Sequence, residues 1–76
     1  MTRFFFDYTA KEQSLLDYGG HEFRSSQGAI EFAEAIAQDL KHSLTENWRG
    51  WCVEVRNVAG MRLLSVPVDS PELEAA

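Results

Sequence analysis

The chain has 76 residues, of which 45% are hydrophobic, and twelve acidic against seven basic side chains give it a net charge of -5. This length and apolar content predict one packed domain and argue against an intrinsically disordered chain. The negative charge disfavours nonspecific nucleic-acid binding, because it repels a phosphate backbone.

The first element is a strand predicted at residues 3–8, where aromatic side chains favour a pleated, half-buried surface. Alternation divides its side chains between two faces. One face carries Phe4, Phe6 and Tyr8, and the other carries Arg3, Phe5 and Asp7. A second strand is predicted at residues 14–18, and Gly19 and Gly20 end it because paired glycines mark turns. The pattern leaves open whether residues 21–23 are extended.

One clear helix is predicted at residues 27–44, behind the N-cap candidates Ser25 and Ser26. Its apolar side chains recur at three-and-four spacing, which defines one buried stripe. The stripe consists of Ile30, Ala33, Ile36, Ala37, Leu40 and Leu44. Small residues on this helix, Ala29, Ala33 and Ala37, are expected to let it approach a sheet closely.

Two further strands are predicted at residues 51–56 and 61–68, joined by a turn at residues 57–60. Asn57 suits the first turn position, and Gly60 supplies a positive φ. Pro67 has no amide donor, so it suits a sheet edge or a strand end. Residues 69–76 are expected to form a flexible acidic C-terminal tail outside the 1–68 domain.

These elements predict an α+β fold of order β-β-α-β-β. One amphipathic helix has one stripe to bury, and an antiparallel sheet of two hairpins offers one apolar face to receive it. A two-layer domain is the simplest result. The side chains expected to be buried together are Phe4, Phe6, Ile30, Ala33, Ala37, Leu40, Val53, Val55, Leu64 and Val66.

Few side chains are candidates for chemistry. His21 and His42 have no carboxylate or cysteine at ligand spacing, so no metal is expected. Cys52 lies mid-strand without a histidine to activate it, and it is interpreted as a small apolar residue. Acids without a defined pairing are interpreted as solvated, namely Asp7, Asp17 and Glu22. We therefore expect neither enzyme activity nor a cofactor.

The expected compartment is the cytoplasm. No apolar run approaches the roughly 20 residues of a membrane span. Asp7 interrupts the apolar stretch that a signal peptide would need. A single cysteine cannot form an internal disulfide, which fits a reducing compartment.

A partner surface is expected on the sheet face that the helix leaves open. Its candidate residues are Arg3, Phe5, Cys52, Glu54, Arg56 and Leu63. Mixed apolar and charged patches of this kind often mark contacts, so we favour an interaction or regulatory module with a protein partner, or a homodimer. The alternatives are a monomer whose open face stays wet, and a small nucleic-acid-associated protein that uses Arg3, Phe5 and Arg56.

Several segments together resemble a known family of short bacterial proteins, described only as a domain of unknown function. The similar segments are residues 3–7, residues 17–23, the Ala-rich helix and the hairpin at residues 53–60, and the resemblance covers residues 3–68. Phe23 stands where the family commonly has an aliphatic residue, and Asn57 and Val58 replace a commoner acidic pair. The resemblance implies no activity, cofactor or catalytic residue.

Overall fold

A computed structural model of the protein describes residues 1–69. In chain order its elements are β1 (Thr2–Thr9), β2 (Ser14–Leu15), β3 (His21–Phe23), α1 (Ser26–Lys41), β4 (Cys52–Asn57) and β5 (Arg62–Pro67). The predicted α+β class is confirmed, since one helix packs on an antiparallel sheet. The predicted tail lies outside the described residues except for Asp69.

The sheet is organised around β1. The strand β4 pairs with one edge of β1, from Phe4 opposite Asn57 to Thr9 opposite Cys52. The other edge of β1 pairs with β3 near its start and with β2 at its end. The fifth strand, β5, pairs with β4 and forms the far side of the sheet. The undecided residues 21–23 are therefore a strand, and the second predicted strand shrinks to two residues.

The core lies between α1 and the sheet. Its buried hydrophobic residues are Phe4, Phe6, Ala29, Ala33, Ala37, Val53, Val55 and Val68. The helix contributes only alanines to this set, which confirms the predicted close approach of helix and sheet. Larger side chains at the margin are half-buried against the core, including Leu40, Leu64 and Val66. Ile30 is also half-buried rather than buried.

The helix begins as predicted and ends earlier than predicted. The Ser25 side chain accepts a hydrogen bond from the Gly28 amide at 3.4 Å, so Ser25 is the N-cap. The helix ends at Lys41. Just beyond it, the Ser43 hydroxyl accepts hydrogen bonds from the amides of Thr45 and Glu46, which offers the backbone an alternative to helical bonding. Leu44 is 100% exposed, so its assignment to the buried stripe was wrong.

The hairpin between β4 and β5 has the predicted turn. Asn57 Oδ1 accepts hydrogen bonds from the amides of Ala59 and Met61, at 3.0 and 2.9 Å. Gly60 has a φ of 85°, the left-handed conformation that favours glycine. A β-bulge follows, because Val55 pairs with Leu64 whereas Arg56 pairs with Arg62. In the described part of the chain, no helix is long and apolar enough to cross a membrane.

Candidate functional site

A buried ion pair lies on the sheet face opposite the helix. Asp7 is 4% exposed, and it accepts hydrogen bonds from Arg56 Nε at 2.7 Å and Arg56 Nη2 at 3.3 Å. Asp7 stands opposite Glu54 and Arg56 stands opposite Phe5, so the ion pair is a diagonal one across β1 and β4. The hydrogen bond with Asp7 raises the pKa of Arg56 further above its ordinary range. The guanidinium also lies 4.7 Å from the centre of the Phe5 ring, as a cation–π contact.

Asp17, in the loop between β2 and β3, closes the gap that these strands leave beside β1. Its Oδ2 accepts a hydrogen bond from the Phe6 amide at 3.1 Å, and its Oδ1 accepts from the amides of Gly19 and Gly20 at 3.2 and 3.1 Å. Burial acts to raise the pKa of Asp17, but these three amide bonds and the nearby His21 outweigh it and lower the pKa. This carboxylate therefore takes the place of a neighbouring strand.

The two carboxylates are linked to each other through the backbone. The Asp17 amide donates to Asp7 Oδ1 at 2.9 Å, and the Asp17 carbonyl accepts from Arg56 Nη2 at 3.0 Å. The interpretation of Asp7 and Asp17 as separately solvated acids was therefore wrong. Both are already occupied by hydrogen-bond donors, so the arrangement suits a structural role rather than proton transfer. The Asp17-x-Gly-Gly sequence is typical of a turn in which the aspartate side chain accepts hydrogen bonds from the amides two and three residues ahead. This pattern is the feature of the sequence that could have predicted the role of Asp17.

The predicted partner surface divides into two parts, and the side chains of the first are held by contacts within the chain. Arg3 donates to the Gly19 carbonyl at 2.5 Å and pairs with Glu22 at 3.2 Å. Phe5 is half-buried beneath Arg56. Arg3, Phe5 and Arg56 are thus held together by the loop at residues 16–20 and form one network with Asp7 and Asp17.

The second part lies toward β5. Glu54 Oε1 lies 2.6 Å from Arg62 Nε, as an ion pair without the alignment of a hydrogen bond. Ser65 donates to Glu54 Oε2 at 3.4 Å. Cys52 is half-buried opposite Pro67. Leu63, the extra residue of the bulge, is 46% exposed. Of the three apolar candidates on the predicted surface, Phe5, Cys52 and Leu63, only Leu63 is exposed.

The outer edge of β5 pairs with no strand among residues 1–69. The Val68 amide donates to the Trp51 carbonyl at 2.9 Å, which fixes the direction of the backbone groups along the strand. Antiparallel pairing alternates, so the amides of Val66 and Leu64 also point to β4, and the backbone of Ser65 and Pro67 points outward.

The bulge brings one more residue into the outward-facing set. Arg62 pairs with Arg56 of β4. Arg56 lies two positions along β4 from Glu54, which pairs with Ser65. The outward-facing backbone therefore belongs to Arg62, Ser65 and Pro67. We call these three residues the edge surface.

A groove runs between α1 and β5 beside the edge surface, with a volume of about 490 Å³. Its floor is apolar and its helix rim is polar. It is lined by Glu34, Ala35, Ala37, Gln38, Lys41, Val66, Pro67 and Val68. The sequence pattern did not predict this groove, because it depends on the distance between the helix and the last strand.

A second cleft, of about 390 Å³, lies on the other side of the helix and includes Leu15, Leu16, Phe32 and Ile36. Within it, burial, Asp17 and Asp39 raise the pKa of Tyr8. The ring of His21, which is an exposed residue, lies 5.1 Å from that of Phe32 and is part of an aromatic cluster. Among residues 1–69 no three His, Cys, Asp or Glu side chains are grouped to hold a metal ion.

Three of the four segments that carried the family resemblance, residues 3–7, 17–23 and 53–60, meet in the network around Asp7, Asp17 and Arg56. The fourth, the helix, packs on the other face of the sheet. The comparisons with known proteins agree with that resemblance. No curated protein and no solved structure matches the chain. A family model described as a domain of unknown function, DUF6894, matches residues 3–69. The chain therefore belongs to the DUF6894 family.

Proposed function

We propose that this domain is a non-enzymatic protein-interaction module, and that it contacts its partner through the edge surface of β5 and the adjoining groove. The observation that carries the proposal is that one edge of the sheet is covered and the other is not. Asp17 and the strands β2 and β3 cover the outer edge of β1. The edge of β5 carries no comparable cover in the described part of the chain.

An unpaired strand edge favours contact with another polypeptide, because its amides and carbonyls can extend the sheet. Apolar side chains accompany this edge. Leu63 is 46% exposed, Leu64 and Val66 are half-buried, and Val66 lines the groove. A partner that pairs with the edge can also cover these side chains and gain hydrophobic stabilisation.

The charges of the open face also support a protein partner over a nucleic acid. Arg3 pairs with Glu22, Arg56 pairs with Asp7, and these pairs neutralise the cations of the alternative proposal. A phosphate backbone needs uncompensated arginine or lysine side chains, and the net charge of -5 adds repulsion. The proposal includes no catalytic step, since the buried acid Asp7 is already bound by Arg56.

Site-specific photocrosslinking in the cells that produce the protein tests this proposal. A photoreactive residue at Ser65 is expected to trap a polypeptide, whereas the same residue at Glu12, exposed in the turn after β1, is not. Mass spectrometry then identifies the trapped chain. Equal trapping at both positions, or trapping of nucleic acid alone, would overturn the proposal.

A further inference from the structure

We propose that the partner of the edge surface is a second copy of this chain, joined by antiparallel pairing of β5 with β5 about a two-fold axis at Ser65. This inference rests on the proposed function, because it names the partner of the same surface. It centres the contact on the strand edge and not on the open face of the sheet.

The backbone of β5 is self-complementary in this register. Ser65 faces Ser65 of the second copy, and each outward amide donates to the carbonyl of the other. Arg62 lies three residues before Ser65, and the extra residue of the bulge, Leu63, brings it level with Pro67 of the second copy, which lies two residues after Ser65. Each Arg62 amide therefore meets the Pro67 carbonyl of the second copy. Proline is acceptable there because only its carbonyl is used.

The helix-side residues are self-complementary too. Leu64 and Val66 flank Ser65 and point toward the helix layer, where both pack against the core. The two-fold axis sets Leu64 of one copy opposite Val66 of the other, and the reverse. Four half-buried aliphatic side chains then meet beneath the two helices, and the apolar floor of each groove is extended.

Charged side chains lie at both ends of this contact. The side chain of Arg62, at the start of β5, is 66% exposed and pairs with Glu54 of its own chain at 2.6 Å. Asp69, two residues beyond the end of β5, pairs with Arg49 at 3.2 Å. Antiparallel self-pairing brings the start of each strand to the end of the other, so the Arg62–Glu54 pair of one copy approaches the Arg49–Asp69 pair of the other. Each pair is neutral, so neither end of the contact joins uncompensated like charges.

The features on either side of Ser65 favour a closed two-fold dimer over the open-ended addition of further chains to the sheet. The bulge lies on one side of Ser65, and Pro67 lies on the other. Both features limit edge pairing to a short segment. A two-fold dimer uses that segment once in each chain and leaves no free edge of β5 for a third chain.

Single-cysteine crosslinking tests the register in a Cys52→Ala background. In Ser65→Cys the two cysteines would face each other with Cα atoms about 5.5 Å apart, within the disulfide range of about 4.4–6.8 Å. In the control Pro67→Cys they would lie about 13 Å apart along the strands, too far to bridge. We expect Ser65→Cys to oxidise to a covalent dimer at least about tenfold faster than the control.

Sedimentation equilibrium of the wild type tests the association itself, with Ser65→Pro as the blocking variant and Ser65→Thr as its control. The wild type and Ser65→Thr are expected to dimerise, and Ser65→Pro is expected to be monomeric because it loses both central donors. Circular dichroism reports whether Ser65→Pro is folded, and if it is not, the cysteine comparison decides.

A wild type that stays monomeric at high micromolar concentration would overturn the homodimer. The protein-interaction function would survive that result if the Ser65 photoprobe traps a different polypeptide. A dimer that crosslinks equally well through Pro67→Cys would overturn the β5 register.

Discussion

Arg56 holds Asp7 in a two-pronged contact across the open face of the sheet, with Nε 2.7 Å from Oδ2 and Nη2 3.3 Å from Oδ1. The carboxylate side chain is 6% exposed and the guanidinium side chain is 26% exposed. Removing the arginine therefore leaves a charge that water reaches poorly. Removing the carboxylate leaves a charge that water can partly solvate.

This asymmetry predicts unequal single mutants. Arg56→Met keeps an aliphatic side chain over Phe5 but leaves the buried Asp7 carboxylate without its cationic partner. It should lower the free energy of unfolding by about 3–5 kcal/mol. Asp7→Asn keeps an acceptor for the Asp17 amide and should cost about 1–2 kcal/mol. The double mutant should lose clearly less than the sum, because it buries no unpaired charge. Urea unfolding of the four proteins measures the coupling, and additive losses would contradict it.

The pKa of Asp17 gives a prediction for acid. Hydrogen bonds from the backbone hold it below the ordinary 3.8 in the folded protein. A lowered folded pKa stabilises the fold above the unfolded pKa, and this contribution is lost as pH falls through the folded value. The wild type should therefore lose stability progressively below about pH 5.

Asp17→Asn should be about 1–3 kcal/mol less stable at neutral pH, since its amide cannot accept from all three backbone donors. Its stability should change less between neutral and acid pH than that of the wild type. The measurement is the urea midpoint as a function of pH for both proteins. Parallel pH profiles would show that Asp17 does not carry the acid sensitivity.

The elements with strong periodicity could be predicted from the sequence, and those that depend on long-range pairing could not. The alternation of Phe4 and Phe6 with Phe5 predicted correctly which face of β1 is buried. By contrast, β3 has three residues, and it is a strand because β1 offers it an edge. No local pattern in so short a segment distinguishes a strand from a turn.

The same distinction applies to the candidate site. Alternation predicted that Arg56 and Phe5 lie on one face, where they now form a cation–π contact. Alternation could not predict that the loop at residues 16–20 folds onto that face. The loop position depends on the hydrogen bond from the Phe6 amide to the Asp17 carboxylate, which joins residues distant in the sequence. The sequence pattern around Trp48 does not predict its burial, and in the structure it is half-buried with its ring 5.8 Å from that of Tyr8.

Two leucines near the end of α1 provide a matched test of the core. Leu40 is half-buried against the core, whereas Leu44 lies beyond the helix end and is 100% exposed. Leu40→Ala should cost about 2 kcal/mol, the low end for a leucine truncation, because the site is partly open. Leu44→Ala should change stability by less than about 0.5 kcal/mol. Thermal or urea unfolding that gives equal losses would show that the helix packs through a different face.

The adjacent glycines Gly19 and Gly20 differ in what a side chain would meet. Gly20 has a φ of 72°, and a Cβ atom there would lie 2.8 Å from the Phe4 carbonyl oxygen and 3.0 Å from the Phe5 ring. Gly19 has no positive φ, and a Cβ atom there would meet nothing within 4 Å. The loop therefore approaches β1 more closely at Gly20 than at Gly19.

Gly20→Ala should destabilise the protein by about 1–3 kcal/mol, because alanine is strained in the left-handed conformation and its methyl group pushes the loop from β1. Gly19→Ala should stay within about 0.5 kcal/mol of the wild type. Because the same loop positions Asp17, Gly20→Ala should also expose the Phe6 amide to faster hydrogen exchange, and Gly19→Ala should not. Equal stability of the two variants, with unchanged exchange at Phe6, would mean that the loop does not seal this edge of the sheet.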